Sequence, residues 1–250
     1  MKARRVALLA DVHGNASALA AVLREVEAEG ADLLIHAGDL TWGLLVEETL
    51  ALIQGYRGPA AFVRGNSERA VLELADDTRA SEDEPTPREV WMLEQHDAAA
   101  LAFLRSFSEN VVVDVAGLGA VRVCHGSPRS DTECVTVETP EARVREFMAG
   151  VEETIVATAH THVQFDRRVG AVRSINPGSV GLPYEGRPGA FWALLGPDIE
   201  LRRTEYDLAE TLAAYRATDD PALEPMIEMF ETPPTPAELT AHAEKLVFSD

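Results

Sequence analysis

The first candidate functional residues of the chain follow a short apolar run at residues 6–10. Asp11 and His13 stand one residue apart there, and Gly14 then allows the backbone to turn. Open α/β sheets carry their sites at the carboxyl ends of strands, and a carboxylate with an imidazole is a ligand pair that suits divalent transition metals. Because many strands end in Asp, this pair predicts a metal site only if other segments add ligands at the same place.

Four further segments repeat this arrangement, since a metal-capable side chain follows each predicted strand that ends at the same sheet edge. Taken singly, such residues are usually helix caps, turn residues or solvated side chains. Here each stands beside a glycine or a second ligand, which independent coincidences do not explain. We therefore predict one metal site from seven residues: Asp11, His13, Asp39, Asn66, His125, His160 and His162. His36, His96 and His242 lack this context and receive no role.

Strands and helices that alternate along the first part of the chain would bring these ligands to one edge. Apolar residues at helical spacing, beginning with Leu19 and Val22, predict a helix over residues 17–27. The other elements of this part are strands predicted at 6–10, 33–37 and 60–64 and a helix predicted at 46–53. This order predicts parallel βαβ units with all three strand ends on the same edge.

Capping and strand patterns predict the rest of the chain. A capping box at residues 86–89 predicts that helices run from 87 to about 107, with a break near Asp97. We expect helices again after Asp207, with a second capping box at residues 235–238. Between these parts the patterns predict a hairpin, a helix and several strands, at 111–115, 121–124, after 140, and at 154–158, 167–175, 191–195 and 200–203.

These patterns predict an α/β chain with one main domain over residues 1–205, which contains a helical insertion at about residues 76–108. Residues 206–250 are predicted to form a C-terminal helical extension that packs on that domain. The insertion and the extension are also the surfaces at which we expect any homo-oligomer to form.

The formal net charge of −20 restricts the partners of the chain. Such a charge repels nucleic-acid backbones and anionic membranes, so we expect no stable nucleic-acid partner and no membrane association. It does not exclude a small anionic substrate, because bound dications reverse the sign of the charge locally. The basic start of the chain is followed by an apolar run that Asp11 ends too early for a secretory signal, so we expect a cytoplasmic protein.

The ordered set of motifs over residues 6–195 resembles the calcineurin-like metallophosphoesterases, and among them the small bacterial and archaeal phosphodiesterases. The motifs are Asp11-Val12-His13, Gly38-Asp39, Gly65-Asn66-Ser67-Glu68, His125-Gly126, Ala159-His160-Thr161-His162 and Asn176-Pro177-Gly178-Ser179. The resemblance implies a four-layer α/β/β/α sandwich of two mixed sheets, here with a helical insertion and C-terminal helices. It also implies a dinuclear metal centre.

The resemblance further implies how the seven residues divide between two metal ions. One ion would be held by Asp11, His13, Asp39 and His162, and the other by Asp39, Asn66, His125 and His160. Asp39 would bridge the ions, since a carboxylate has one oxygen for each. We expect two divalent transition-metal ions, manganese first, with iron, zinc, cobalt or nickel as alternatives, because this mixed ligand set suits them better than calcium or magnesium.

The implied reaction is hydrolysis of a phosphate ester by in-line attack of a metal-bridging hydroxide, with Asp39, Asn66 and His125 at the catalytic core. The phosphatase branches of the family carry His after the Gly-Asn pair, whereas this chain carries Ser67. A serine hydroxyl cannot protonate a leaving group near pH 7, so this departure favours phosphodiesters or esters with good leaving groups. We expect a small phosphate ester as the substrate. Ala159 replaces the usual glycine, and we expect its methyl group to be tolerated.

Two alternatives stay open. One is a phosphomonoesterase or nucleotide pyrophosphohydrolase on the same site. The other is a non-catalytic scaffold like the metallophosphoesterase-like subunit of the retromer complex, which the intact ligand set disfavours. For the substrate we expect contacts from Asn66 and Ser67, and also from Arg64 and Arg129, although an arginine at a strand end is more often solvated.

Overall fold

The computed structural model describes residues 1–80 and 83–246, which form eleven strands and nine helices. The strands are β1 (Lys2–Ala3), β2 (Val6–Leu9), β3 (Leu33–His36), β4 (Ala60–Phe62), β5 (Asn110–Val115), β6 (Gly119–Cys124), β7 (Ile155–Ala157), β8 (Phe165–Val169), β9 (Val172–Asn176), β10 (Ala190–Leu195) and β11 (Ile199–Thr204). The helices are α1 (Ala16–Ala28), α2 (Val46–Gly55), α3 (Asn66–Ala75), α4 (Pro87–Glu94), α5 (Ala98–Arg105), α6 (Glu141–Phe147), α7 (Leu208–Tyr215), α8 (Leu223–Glu231) and α9 (Pro236–Ala243).

The first sheet has five strands in the order β11-β10-β2-β3-β4. Strands β2, β3 and β4 are parallel, with Val6 opposite Leu33 and Leu34 opposite Ala60. Strand β10 runs antiparallel to both β2 and β11. The parallel order confirms the predicted βαβ units, and the ends of β2, β3 and β4 therefore lie at one edge of this sheet.

The second sheet has six strands in the order β1-β5-β6-β7-β9-β8. The predicted hairpin is confirmed, since β5 and β6 are antiparallel with Asn110 opposite Cys124. Strands β6, β7 and β9 are parallel, so β6 and β7 end on the same side of this sheet. Both sheets are mixed, as the resemblance implies.

The two sheets pack face to face, and helices cover their outer faces. Side chains alternate along β2, as a strand requires: Val6 and Leu8 lie in a core with Val123 of β6, whereas Leu9 lies in a core with Leu19 of α1. Helix α6 packs on the outer face of the second sheet. The predicted four-layer α/β/β/α arrangement is confirmed.

The insertion and the C-terminal helices both pack near the sheet edge that carries the predicted ligands. Helices α4 and α5 contact α3, and α7 and α8 share a small core with Leu44 and Leu182 of the edge loops. The predicted break near Asp97 is confirmed, because Asp97 caps α5 through the N–H of Ala100. Residues 81–82 of the insertion and 247–250 of the extension lie outside the described residues. Among the described helices, none is long and apolar enough to span a bilayer.

The sequence patterns do not predict α3 or β1. Helix α3 begins immediately after β4, and its N-cap is Gly65 rather than a side chain with an oxygen. Its apolar face is narrow, because its buried hydrophobic residues are the adjacent Val71 and Leu72. Strand β1 has two residues, which is too short for a period of two to be visible in the sequence.

Candidate metal centre

Five strand ends bring the seven predicted ligands into two neighbouring clusters. One cluster contains Asp11, His13 and His162, and the other contains Asp39, His125 and His160. Within each cluster, one candidate ligand atom from each residue lies within 4.8 Å of the others. Asn66 joins the second cluster, since its Oδ1 lies 3.0 Å from Nε2 of His125. The structure thus brings all seven residues together.

Asp39 lies between the two clusters. Its Oδ2 is 3.6 Å from Nε2 of His13, and its Oδ1 is 3.4 Å from Nε2 of His125. The backbone N–H of Ser67 donates to Oδ1 at 2.9 Å and fixes the carboxylate plane further. One oxygen therefore faces each cluster, which is the arrangement that a bridging carboxylate needs.

Main-chain carbonyl groups orient three of the histidines. The Nδ1 atoms donate as follows: His13 to Trp42 at 2.9 Å, His125 to Ala37 at 2.8 Å and His162 to Leu182 at 2.7 Å. A carbonyl oxygen can only accept, so Nδ1 carries the hydrogen in each ring. In a neutral ring, Nε2 then directs its lone pair into the cluster, as metal-ligating histidines do.

The first cluster contains polar atoms that the protein itself leaves without partners. Nε2 of His13 and Nε2 of His162 lie 3.1 Å apart, and two neutral rings would point lone pairs at each other there. Oδ1 of Asp11 is fully buried and 3.3 Å from Nε2 of His162, yet it accepts no hydrogen bond from any described residue. Buried polar atoms normally have partners, and a divalent cation would satisfy these three atoms at once. The residues therefore fit a metal ion.

The backbone at the centre adopts the left-handed conformation, which non-glycine residues rarely adopt. Six described non-glycine residues have a positive φ, and five of them are predicted ligands with φ between 47° and 64°: Asp11, His13, Asp39, His160 and His162. Each such residue costs on the order of 1 kcal/mol, and the cost persists where the surrounding structure fixes the backbone. Strain of this kind is concentrated at functional sites, which agrees with the ligand assignment.

Glu68 supports the centre, although its place in the sequence does not indicate this role. Its fully buried carboxylate accepts hydrogen bonds from the backbone N–H groups of Asp39 at 2.9 Å, Leu40 at 2.7 Å and Gly65 at 2.7 Å. It thereby ties the loop that carries Asp39 to the loop that carries Asn66. A Cβ atom on Gly65 would overlap Oδ1 of Asp39, so glycine permits this close approach. The available signal was a Glu three residues after the cap of a helix.

The motif at residues 176–179 supports the other ligand loops. Asn176 donates from Nδ2 to the carbonyl of Ala159 at 2.9 Å and to the hydroxyl of Thr161 at 3.0 Å. The hydroxyl of Ser179 donates to the carbonyl of Asp11 at 2.7 Å. The methyl group of Ala159 is buried in the core between the sheets, so its presence in place of glycine adds an apolar contact.

The charges in the centre set different protonation states for its imidazoles. Burial, together with a neighbouring histidine, lowers the pKa of His13 and lowers the pKa of His160 to about 4. Burial also opposes the charged form of His125, but the carboxylates of Asp39 and Asp11 outweigh it and raise that pKa to about 10. Burial acts against ionisation of Asp39 as well, yet the adjacent histidines hold its pKa well below the usual range. Metal binding must therefore displace a proton from His125.

The structure separates the four predicted substrate contacts into two cavities. A cavity of about 400 Å³ lies over the clusters, and Asn66 and Ser67 are in its lining. Arg64 and Arg129 line a neighbouring cavity of about 280 Å³ that reaches the other side of His125. Carboxylates already engage both arginines at 3.0 Å or less. Asn66 and Ser67 are thus positioned to contact a molecule bound at the clusters.

Comparison with known proteins gives a consistent result. A family model described as a calcineurin-like phosphoesterase superfamily domain matches residues 5–195. The fold is similar to that of a hypothetical protein from Pyrococcus horikoshii OT3, with a TM-score of 0.78 and 20% identity over 94% of this chain and 100% of that one. It is also similar to a metallophosphoesterase from Sphaerobacter thermophilus, with a TM-score of 0.70 and 26% identity over 90% of this chain and 98% of that one.

No curated protein matches the chain by sequence. The family model nevertheless spans the whole region that carries the seven clustered residues, from the end of β2 to the loop after β7. The two mixed sheets have the architecture that both similar structures share. The chain belongs to the calcineurin-like phosphoesterase superfamily.

Proposed function

We propose that the protein hydrolyses phosphodiesters at a centre of two divalent metal ions, with manganese as the first candidate. Its family supports hydrolysis of phosphate esters, and the two ligand clusters support metal binding. The observation that carries the proposal is the position of Asp39, whose two oxygens face His125 and His13 in different clusters. The similar protein from Sphaerobacter thermophilus is itself described as a metallophosphoesterase, which agrees with this reading.

The chain's own residues would position the reaction. When bound, a pair of divalent ions lowers the pKa of water and neutralises charge on the phosphoryl oxygens. The hydrogen bonds from Nδ1 hold the rings of His13, His125 and His162 in place before any ion arrives. Asn66 presents an amide to the cavity, where it can contact a phosphoryl oxygen. Because these three histidines are buried, their electrostatic interactions are stronger than they would be at the surface.

Ser67 supports the preference for diesters. It lies in the cavity lining at the start of α3, the position from which a histidine in its place could reach a leaving oxygen. A serine hydroxyl is too weak an acid to protonate a leaving group near pH 7, so a poor leaving group would receive no proton from this position. A diester presents one negative charge fewer than a monoester. A centre without a charged histidine at this position suits it better.

The test is a paired initial-rate assay on metal-stripped protein that is reloaded with manganese. The substrates are bis(p-nitrophenyl) phosphate and p-nitrophenyl phosphate, which release the same leaving group. We expect metal-dependent cleavage of the diester with a higher kcat/KM than that of the monoester.

The other outcomes separate the alternatives. Faster monoester cleavage would replace the diesterase by a phosphomonoesterase on the same centre. Formation of a nucleoside monophosphate and pyrophosphate from a nucleoside triphosphate would indicate a pyrophosphohydrolase. No turnover of any of these substrates, with two manganese ions bound per chain by elemental analysis, would favour the non-catalytic scaffold.

A further inference from the structure

The cavity over the two ligand clusters extends along a wall that contains none of the seven predicted metal ligands. Its volume of about 400 Å³ is in the range of small-molecule sites. Three parts of the chain form this wall: the edge loops of the sheets, helix α4 of the insertion and helix α8 of the C-terminal extension. The residues are Trp42, Arg88, Leu182, Tyr184, Met226 and Met229.

The chemistry of the wall is that of a site for a flat apolar group. Trp42 offers an indole, and such rings pack against other rings with favourable geometry. Met226 and Met229 add flexible thioethers, whose sulfur atoms make favourable contacts with aromatic rings. Trp42, Tyr184 and Met229 are only half-buried in the protein, so part of their surface faces the cavity. Arg88 also lines the cavity, and its Nε lies 3.4 Å from Oδ1 of the buried Asp220.

The wall is fixed to the metal centre. The ring of Tyr184 stacks on the ring of His162, with a centroid distance of 4.6 Å and an interplanar angle of 15°. Trp42 also holds His13, because its carbonyl accepts the hydrogen bond from Nδ1. A group that contacts these two aromatic residues is therefore one side chain away from the ligand clusters. In a substrate whose phosphoryl group lies at these clusters, such a group would be an ester substituent on phosphorus.

Helix α8 is held in place by its own core contacts and by the loop that precedes it. Met226 packs in the small core that contains Leu182 and Leu44 of the edge loops. The loop before α8 is anchored to α4 by the Trp91 indole, which donates to Asp219 at 2.7 Å. The wall therefore exists before a ligand binds, which reduces the entropy cost of binding.

We propose that this wall binds an aromatic ester group of the substrate, so that the protein selects aryl-type phosphate esters over small alkyl ones. The proposal rests on the phosphodiesterase function for its biological meaning, but the binding surface can be tested without turnover. Phenylphosphonate and methylphosphonate are suitable probes, since they share one phosphonate head and each carries a single organic group that cannot be hydrolysed from phosphorus.

The experiment is calorimetric titration of manganese-loaded protein with these two probes and with cyclohexylphosphonate. We expect phenylphosphonate to bind at least about tenfold more tightly than methylphosphonate, which is the low end of what apolar contacts contribute to selectivity. We also expect it to bind more tightly than cyclohexylphosphonate, which has similar bulk but no flat ring. Equal affinity for phenylphosphonate and methylphosphonate would overturn the proposal, and equal affinity for the phenyl and cyclohexyl probes would overturn its aromatic part.

Two variants of one residue locate the binding surface. Met229→Ala removes a contact, and Met229→Gln replaces the thioether by a polar amide of similar size, so both should lower the phenyl-to-methyl affinity ratio roughly fivefold or more. Glu228→Ala is the matched control, because Glu228 is the preceding residue of α8 and is exposed. A ratio that stays at the wild-type value in both Met229 variants would place the aromatic group elsewhere.

These titrations, together with the initial-rate assay, distinguish this proposal from the phosphodiesterase function. Diester hydrolysis without a phenyl preference would retain the function and overturn the aromatic wall. A phenyl preference that depends on Met229, in a protein that hydrolyses neither a diester nor a monoester, would retain the wall and overturn the function.

Discussion

At the scale of single residues, Asp39 shows how a buried carboxylate can stay ionised. Three histidines and the N–H of Ser67 compensate for the loss of water around it, so its pKa remains low despite burial. An anion held in this way attracts divalent cations. The types and spacing of all seven clustered residues made them recognisable in the sequence, because Asp, Asn and His at strand ends are uncommon as a set.

Loss of a residue at the junction of the clusters should stop turnover. We expect Asp39→Ala and His125→Ala to lower kcat/KM by more than about 100-fold, a larger effect than loss of an outer partner of a metal ligand. Initial rates with the diester substrate measure this effect, and far-UV circular dichroism checks that the fold persists. Near wild-type activity in both folded variants would contradict the assignment of the centre.

Glu68 could not be identified in this way, because its partners are backbone N–H groups that every residue has. We expect Glu68→Gln to weaken manganese binding by about 10–100-fold, because an NH₂ group that cannot accept a hydrogen bond replaces one of the two carboxylate oxygens. Calorimetric titration with manganese measures the change.

Glu73→Gln is the matched control, because Glu73 lies on the same helix, pairs with Arg69 at 3.2 Å and does not line the cavity over the clusters. If the two variants bound manganese equally well, Glu68 would not position the ligand loops.

Ser67 is the residue at which the substrate class should change. We expect Ser67→His to raise monoester kcat/KM relative to diester kcat/KM about tenfold or more, because a protonated imidazole in the cavity offsets the second negative charge of the monoester. The ratio is measured with the two p-nitrophenyl esters at fixed manganese. An unchanged ratio would mean that this position does not set the preference.

At the scale of elements, the outcome followed the strength of each local pattern. Periodicity and capping revealed α1, the hairpin, the break at Asp97 and the cap at Thr235. Helix α3 stayed hidden because Gly65 is its cap, although glycine is required there by the approach of Asp39 rather than by helix formation. The wall around Trp42 and α8 could not be predicted either, since it depends on how distant helices pack.

The contact between α4 and the loop before α8 should contribute measurably to stability. In a double-mutant cycle with Trp91→Phe and Asp219→Ala, we expect a coupling free energy of unfolding of about 1 kcal/mol for the lost hydrogen bond. Urea unfolding of the four proteins gives this value. Additive effects of the two substitutions would show that the bond does not couple the insertion to the extension.

At the scale of the whole molecule, metal binding and folding are thermodynamically linked, because a metal ion that binds only the native state raises the free energy of unfolding. The net charge of −20 destabilises the metal-free fold through repulsion among acidic side chains, and bound dications lower both the charge and the repulsion. These global terms were visible in the composition, but their connection to one site depends on the folded arrangement.

Manganese should therefore stabilise the protein against unfolding. At a free concentration about 100 times its Kd, we expect the free energy of unfolding to rise by about 2.7 kcal/mol, through binding to the native state alone. Thermal unfolding monitored by circular dichroism, with and without manganese, tests this. Asp39→Ala serves as the comparison and should show a much smaller rise, and an equal rise in both proteins would place the ions outside the centre.

The positive φ angles at five of the clustered residues have a consequence for protein engineering. A directed-evolution experiment that selected for heat resistance in the absence of metal would favour glycine at these positions, because glycine adopts a positive φ without the steric clash of a Cβ atom. Each such winner would lose a ligand. Selection for heat resistance alone would thus enrich stable variants that no longer bind metal. Adding manganese to the selection medium would instead favour variants that keep their ligands, because metal binding would then stabilise them.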